Sequence, residues 1–363
     1  MFHPLGARWL LLALPLAFAG ALLLRTVVQA RALVRIPRLR VTAGDQARAR
    51  AAIPGLVEAE LKTADGLALH GWFAKGSRRD GIVLVHGAGG NRAALLPEAV
   101  LLHRRGHGVL LYDSRASSKS EGRLQSWGDG ERADVRAAVD YLSARPDVDR
   151  DRIGAYGFSV GANAVALEAA GDGRVRATAL GPVWTSLDDE LRSKFKTRKL
   201  QLPALARASM EADGVDVLAV RPLDVMPELA RRPLLLLSGT LDLDTPLAVM
   251  DRMASAAPGA ERFIAAGAAH GNIHEVLPEE LDRRLGGFFD LERNRFPARD
   301  EPLQTLQLLG GAPALALPLE AFAQVGEAFP SQARKARPDR HLPHAHERRE
   351  GAATGRQGHA PSR

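Results

Sequence analysis

The feature that most restricts the fold of this sequence is a serine between two glycines, in Gly157-Phe158-Ser159-Val160-Gly161. The short apolar run Ile153–Tyr156 before it predicts a β-strand, and the alanine-rich stretch after it, to Ala170, predicts a helix. A chain that passes directly from strand to helix turns sharply, and the glycines leave room for the neighbouring backbone. The pattern therefore predicts a serine hydroxyl exposed at the carboxyl edge of a sheet, beside the positive end of a helix.

The same alternation of strand and helix patterns runs through the middle of the chain. Helical patterns separate the predicted strands Ile82–Val85, Gly108–Tyr112, Ala177–Leu180, Pro233–Leu237 and the short Arg262–Ala265. Ile82–Val85 is a continuous apolar run of the kind that is buried on both faces of a parallel sheet. Ala64-Asp65-Gly66 lies between two further strand patterns and predicts a hairpin. We therefore predict an α/β fold with a mostly parallel, doubly wound sheet and an antiparallel amino-terminal hairpin.

Composition divides the chain into regions. We predict a membrane anchor or signal segment (1–30), a basic linker (31–54), an α/β domain (55–292), a carboxyl-terminal extension (293–329) and a disordered tail rich in Pro, Gly, His and Arg (330–363). Within the domain, residues 185–230 depart from the alternation and are broken by prolines. This stretch predicts a small cap over the carboxyl edge of the sheet, with a plain crossover helix as the alternative.

The amino-terminal segment carries the targeting signal. An uncharged stretch, Trp9–Leu24, is flanked by Arg8 and Arg25, and it is slightly shorter than the roughly 20 residues of a spanning helix. Arginines are more frequent after it than before it, which predicts a single-pass anchor with the globular domain on the cytoplasmic side. The alternatives are an export signal cleaved after 17–19 or 28–30, and a buried core helix.

Charge and cysteine content exclude several other classes. The net charge of +7 is concentrated in two arginine-rich stretches, Arg25–Arg50 and the end of the chain from Arg334, while the middle is close to balanced. Without a binding module or interleaved aromatic residues, this charge does not predict a nucleic-acid partner. The chain has no cysteine, so disulfides and thiolate metal sites are excluded.

A serine nucleophile needs a base, and the base needs an orienting carboxylate. His270 follows the last predicted strand and is the candidate base, with His274 as its rival. These two histidines are four residues apart, but no third ligand accompanies them, so no metal is predicted. Asp242 follows the strand Pro233–Leu237 and is the candidate carboxylate, whereas Asp244, two residues before a proline, is better suited to capping a helix.

The oxyanion formed during acyl transfer needs fixed N–H donors. We predict the backbone N–H of Val160, which follows the serine, and that of Ala88 in the glycine-rich loop His86–Asn91. His86 is predicted to hold this loop in place. The loop matches no phosphate-binding glycine pattern, so no cofactor is predicted.

Together these motifs resemble the α/β-hydrolase family, in particular single-domain serine hydrolases with a short amino-terminal membrane anchor. The resemblance covers about residues 56–290 and includes the Asp65-Gly66 hairpin, the His86–Asn91 loop, Gly157–Gly161, Gly239–Asp242 and Gly267–His270. It implies hydrolysis of carboxylic esters or related acyl compounds through an acyl-enzyme. The expected partner is a small-molecule or lipid-like ester, and no cofactor is required.

One loop departs from the family pattern. Such proteins usually carry Asp-x-Arg-Gly-x-Gly-x-Ser-x-Gly after the fourth strand, whereas residues 113–122 of this chain have Ala116 and Ser118 in place of the inner glycines. This loop borders the predicted site, and without the glycines the sequence predicts neither its path nor its substrate contacts. A non-catalytic scaffold used for binding, or a peptidase or thioesterase, are the alternatives to an esterase.

Overall fold

A sheet of eight strands organises the protein, whose computed structural model describes residues 5–195 and 202–290. The strand order is β1-β2-β4-β3-β5-β6-β7-β8. Strand β2 runs antiparallel to both β1 and β4, and the remaining neighbours are parallel, which confirms the predicted fold class. The strands are β1 (Val57–Lys62), β2 (Ala68–Ala74), β3 (Gly81–Val85), β4 (Gly108–Tyr112), β5 (Ile153–Gly157), β6 (Val175–Leu180), β7 (Leu234–Gly239) and β8 (Glu261–Ala265).

Helices cover both faces of this sheet. The main ones are α1 (Leu5–Val34), α2 (Ala43–Ala52), α3 (Leu96–Arg104), α4 (Glu131–Ser143), α5 (Val160–Gly171), α6 (Leu187–Lys194), α7 (Leu202–Ala212), α8 (Pro222–Leu229) and α9 (Leu247–Ala256). Residues of α2 and α3 belong to one apolar core, and residues of α4, α5, α8 and α9 belong to the other. Every residue of β3, β4 and β5 is buried, because parallel strands between two helical layers have no solvent face.

The amino-terminal part differs from the predicted linker. Helix α1 continues to Val34, and α2 occupies residues 43–52. Thr42 and Asp45 form a capping box in which Thr42 Oγ1 accepts from Asp45 N–H (3.1 Å) and Asp45 Oδ2 accepts from Thr42 N–H (2.8 Å). Local capping and the burial of Ala49 therefore produce a helix where apolar periodicity is weak.

Helix α1 is also the only helix among the described residues that is long and apolar enough to cross a membrane, judged by length and composition. The qualifying stretch is Pro15–Val34, with a mean hydropathy of 1.4. Leu16, Phe18, Leu24 and Val28 are largely exposed on it, whereas Ala30 and Val34, near its end, are buried against α6 and α7 in a third apolar cluster. The apolar amino-terminal helix is therefore joined to the globular part through its last turns.

The predicted carboxyl-terminal helix over residues 276–289 is present but begins later. A separate turn at Ile273–Val276 precedes a continuous helical segment made of Pro278–Leu281, a π-helical stretch at Asp282–Gly286, and Gly287–Asp290. Pro278 lacks an N–H, and Leu277 before it is non-helical (φ −136°, ψ 60°), as expected for a residue preceding proline. The predicted extension (293–329) and tail (330–363) lie outside the described residues, and the cap over 185–230 stays a prediction.

Candidate active site

Ser159 lies at the junction of β5 and α5 with an unusual backbone. Its φ of 55° and ψ of −121° cost on the order of 1–3 kcal/mol for a residue with a side chain. The surrounding packing is tight: a Cβ on Gly161 would lie 2.2 Å from Val85 O, and one on Gly157 would lie 2.5 Å from Gly161 O. Both glycines are therefore required by close backbone approach, and they hold the serine in a sharp turn.

His270 and Asp242 are hydrogen-bonded to each other. His270 Nδ1 lies 2.8 Å from Asp242 Oδ2, and the buried carboxylate also accepts the Thr245 N–H at 2.7 Å through Oδ1. Because a carboxylate only accepts, Nδ1 carries the hydrogen and Nε2 is left as an acceptor. The ring also packs against Phe158, beside the serine, with ring centroids 4.9 Å apart.

Ser159 and His270 line the same cavity, which has a volume of about 350 Å³. No direct hydrogen bond joins their side chains among the described residues, as is common in proteins without bound substrate. The cavity wall is mostly apolar and aromatic, and it includes Leu39, Trp127, Phe158, Trp184, Ile273 and Leu281. A serine, an imidazole with a free acceptor nitrogen and an apolar pocket are thus brought to one place.

The rival residues have other surroundings. His274 is not among the residues that line the cavity, and its Nδ1 lies 3.7 Å from Glu98 Oε1. Asp244 also lines the cavity, but its side chain is 64% exposed and lies 3.8 Å from Lys194 Nζ, and in the described part of the chain no hydrogen bond joins it to His270. Within the described ranges, no group of three or more His, Asp or Glu side chains is arranged to hold a metal ion. The geometry therefore favours His270 over His274 and Asp242 over Asp244.

Among the described residues, the N–H groups of the two predicted oxyanion donors, Ala88 and Val160, have no hydrogen-bond acceptor. In the glycine-rich loop, Gly89 N–H donates to Gln125 Oε1 (3.1 Å) and Gly90 N–H donates to Gly87 O (3.1 Å). No hydrogen bond in the described part of the chain is donated by the N–H of Ala88 or of Val160. Val160 is also the first residue of α5, and the amino-terminal end of a helix favours negative charge. These two groups can stabilise an oxygen that becomes negative.

His86 connects this loop to the next one. The ring is buried; Nδ1–H donates to Gly87 O (2.8 Å), and Nε2 accepts from Ser114 N–H (3.1 Å). Burial lowers the pKa of His86, which keeps the imidazole neutral and suited to donate from one nitrogen and accept at the other. His86 therefore holds the glycine-rich loop against the loop that follows β4.

That following loop, residues 113–122, keeps its turns without the glycines. Ala116 (φ 57°) and Ser118 (φ 45°) have left-handed backbone conformations, at a cost of roughly 1–2 kcal/mol each. Hydrogen bonds within the loop compensate, including Ala116 N–H to Glu121 O (2.7 Å) and Ser120 Oγ–H to Asp113 O (2.6 Å). The loop is therefore closed by its own hydrogen bonds, although two of its residues carry side chains at positive φ.

Several residues at the site were not predicted from the sequence. Glu98 and Glu190 are buried and line the cavity, and burial raises the pKa of both, that of Glu190 to about 7 despite Lys194 Nζ 3.4 Å away. An acidic residue inside an apolar helix pattern, as at Glu98, is the one available hint. Gln125 and Leu39 reach the site only through tertiary packing.

Comparison with known proteins adds family information. The family model of X-Pro dipeptidyl-peptidase (S15 family) matches residues 41–232, and that of TAP-like protein matches residues 203–277. An uncharacterized Mycobacterium tuberculosis protein, Rv2307c, is 30% identical over 289 residues, covering 75% of this chain and 92% of the relative. Thiohydrolase aneE of Aspergillus aculeatus is 35% identical over 124 residues, covering 33% of this chain and 39% of the relative.

A solved structure gives the same architecture. The Pyrococcus furiosus esterase Pf2001 superposes with a TM-score of 0.57 and 25% sequence identity, covering 69% of this chain and 96% of that chain. The similar region includes nearly the whole of that esterase. The sheet and the helices around it are therefore those of a compact hydrolase domain.

Proposed function

This chain belongs to the α/β-hydrolase family, and we propose that it is a serine hydrolase that cleaves carboxylic esters or related acyl compounds through an acyl-enzyme. The observation that carries the proposal is the His270–Asp242 hydrogen bond of 2.8 Å beside a cavity that Ser159 also lines. The strained backbone of Ser159 (φ 55°) supports it, because such strain is typical of functional serines at sharp turns.

The proposed mechanism uses only residues of the chain. Ser159 Oγ attacks the acyl carbonyl while His270 Nε2 takes the hydroxyl proton. The carbonyl oxygen becomes negative and accepts hydrogen bonds from the N–H groups of Ala88 and Val160. His270 then protonates the leaving group, and the carbon–heteroatom bond breaks to leave an acyl-serine. Water, deprotonated by the same imidazole, releases the acid, and Asp242 keeps the ring oriented in both halves.

The test is chemical labelling combined with hydrolysis. A fluorophosphonate should label wild type at Ser159, and Ser159→Ala should lose both labelling and hydrolysis of short p-nitrophenyl esters while its melting temperature stays near that of wild type. Labelling of wild type at another residue would contradict the assignment. Complete absence of labelling in a folded protein would instead favour a non-catalytic scaffold.

A thioester or peptide substrate is the second candidate, favoured by one relative named a thiohydrolase and by the match to the X-Pro dipeptidyl-peptidase model. The leaving group distinguishes ester, thioester and peptide substrates. Matched butyryl esters, butyryl thioesters and Ala-Pro amides should be compared by kcat/KM on the purified protein. An amide preferred over the ester by more than tenfold would replace the esterase proposal with a peptidase.

For the amino-terminal helix we propose a membrane anchor that keeps the domain on the cytoplasmic side. The apolar stretch Pro15–Val34 and the arginines that follow it support this arrangement. Protease added outside intact cells should leave the domain undigested until the cells are opened. Digestion in intact cells, or recovery of a chain that lacks the first thirty or so residues, would favour the alternative of an exported protein with a cleaved signal.

A further inference from the structure

Residues 35–42 connect α1 to α2 and form the α1–α2 linker, which is shorter than the basic linker predicted at residues 31–54. This segment contacts the glycine-rich loop His86–Asn91. Ile36 Cγ2 is 3.1 Å from the position that a Cβ on Gly89 would occupy, and Asn91 Nδ2–H donates to Leu39 O at 3.2 Å. Leu39 also lines the cavity that contains Ser159. The linker is therefore part of the wall of the site.

The linker is held at several points along its length. Arg38 donates to Ser120 O (2.9 Å) and Gly122 O (2.5 Å), and Val41 N–H donates to Ser118 Oγ (3.2 Å). At the end of α1, Arg35 forms a two-pronged pair with Asp213 of the α7–α8 connection at 2.8 and 3.0 Å. A segment fixed by main-chain and charge-assisted hydrogen bonds is an ordered element, unlike a flexible tether.

One buried residue, Gln125, connects the end of α1 to the glycine-rich loop. Gln125 N–H donates to Val34 O (2.9 Å), its Nε2–H donates to Ser117 Oγ (2.9 Å), and its Oε1 accepts the N–H of Gly89 (3.1 Å). The orientation of the amide follows from chemistry, because a backbone N–H can only donate and must face the carbonyl oxygen. Gln125 thus joins the end of α1, the loop 113–122 and the glycine-rich loop.

We propose that Gln125 is a positioning residue for the glycine-rich loop and that the α1–α2 linker is a structural part of the active site. The inference rests on the proposed function. The Gly89 N–H belongs to the peptide unit that follows Ala88, so the Gln125 bond fixes the backbone next to the proposed Ala88 donor. Gly89 has a left-handed φ of 70°, a conformation that glycine alone enters without penalty and can also leave easily. The hydrogen bond from Gly89 N–H to Gln125 Oε1 restricts the backbone at this position.

The test replaces Gln125 with methionine, which has similar length and volume but no amide acceptor. In the full-length protein, Gln125→Met should lower kcat for p-nitrophenyl butyrate about tenfold and leave KM within about twofold, less than the 10²–10³ expected for losing an oxyanion donor itself. Gln46→Met is the matched control, since Gln46 donates to Glu58 and is not among the cavity residues. It should leave both constants unchanged.

A second readout separates positioning from general destabilisation. A trifluoromethyl ketone forms a serine adduct with a negative oxygen, so its Ki should rise by the same factor as kcat falls in Gln125→Met. Ile36→Ala, which removes the linker contact with Gly89 and leaves the Gln125 bond, should give a smaller change in the same direction. It also keeps the proposal testable if the methionine variant does not fold.

The outcomes separate the two proposals. Unchanged kcat and Ki in folded Gln125→Met and Ile36→Ala, with wild type still labelled at Ser159, would overturn the positioning role alone. A rise in KM with constant kcat would also overturn it, because that result indicates a contact with bound substrate. Failure of wild type to react with the fluorophosphonate would instead refute the underlying hydrolase function.

Discussion

Replacing Asp242 with asparagine should invert the hydrogen-bond pattern of His270. In the wild-type protein, the Asp242 carboxylate accepts the Thr245 N–H with one oxygen (2.7 Å) and the His270 Nδ1–H with the other (2.8 Å). Asparagine has a single oxygen, and the Thr245 N–H can only donate, so that oxygen turns toward Thr245. The asparagine NH₂ then faces Nδ1, which must become the acceptor, and the imidazole proton moves to Nε2.

An imidazole with its proton on Nε2 cannot take the proton of Ser159. From the loss seen when the orienting aspartate of a serine protease is changed in this way, we expect kcat to fall about 10⁴-fold. This factor corresponds to about 5 kcal/mol of transition-state stabilisation at 1.36 kcal/mol per tenfold change. KM should change little, because Asp242 is buried behind the histidine and away from the substrate.

The assay is the steady-state hydrolysis of p-nitrophenyl butyrate by the full-length protein in detergent, with protein concentration taken from ultraviolet absorbance and folding checked by circular dichroism. Asp244→Asn is the matched comparison, since it makes the same chemical change on a side chain that is 64% exposed. It should alter kcat by no more than about threefold. The reasoning is refuted if folded Asp242→Asn keeps a tenth or more of the activity, or if Asp244→Asn loses more than Asp242→Asn.

Three further substitutions test other parts of the site. Gly161→Ala places a Cβ 2.2 Å from Val85 O and should lower the free energy of unfolding by about 1–3 kcal/mol in urea denaturation, whereas Gly171→Ala, with nothing within 4 Å, should not. His270→Asn should lower kcat by about 10³-fold or more while His274→Asn keeps most of it; the opposite order would make His274 the base. Burial holds the pKa of Glu190 at about 7, above its usual 4.5, so the folded protein keeps a proton that the unfolded chain releases, and stability should fall as pH rises from about 4.5 to 7. Glu190→Gln should flatten that slope in denaturation curves measured at pH 5 and pH 7.5, and an unchanged slope would show that other groups cause it.

Much of the fold and of the candidate site follows from local sequence patterns. The buried strands are continuous apolar runs because both of their faces are covered, and this makes them visible in the sequence. Ser159 and Asp242 each follow such a strand, and His270 follows the half-exposed edge strand β8, so their placement at one sheet edge could be anticipated from chain order. Gly157 and Gly161 were predictable for the same reason, because a sharp strand-to-helix turn leaves no room for a side chain.

The remaining features leave no pattern of apolar residues in the sequence. Helix α2 forms within the predicted linker because Thr42 and Asp45 cap it and the core buries Ala49, and neither effect changes the apolar periodicity. Gln125 reaches Gly89 through a fold in which the amino-terminal helix lies beside the loop after β4. Ala116 and Ser118 adopt glycine-like backbone angles that their identities argue against. Local capping forms α2, hydrogen bonds within the loop hold Ala116 and Ser118, and tertiary packing places Gln125.

The buried end of α1 limits when the chain can be processed. One of the possible cleavage sequences, residues 28–30, lies inside a continuous helix, and Ala30 within it and Val34 beyond it have no exposed surface. A peptidase requires its substrate in an extended form, so cutting there in the mature protein demands that the last turns of the helix unwind and leave their apolar partners. Cleavage at residues 28–30 is therefore expected on the nascent chain, before the last turns of α1 pack against α7.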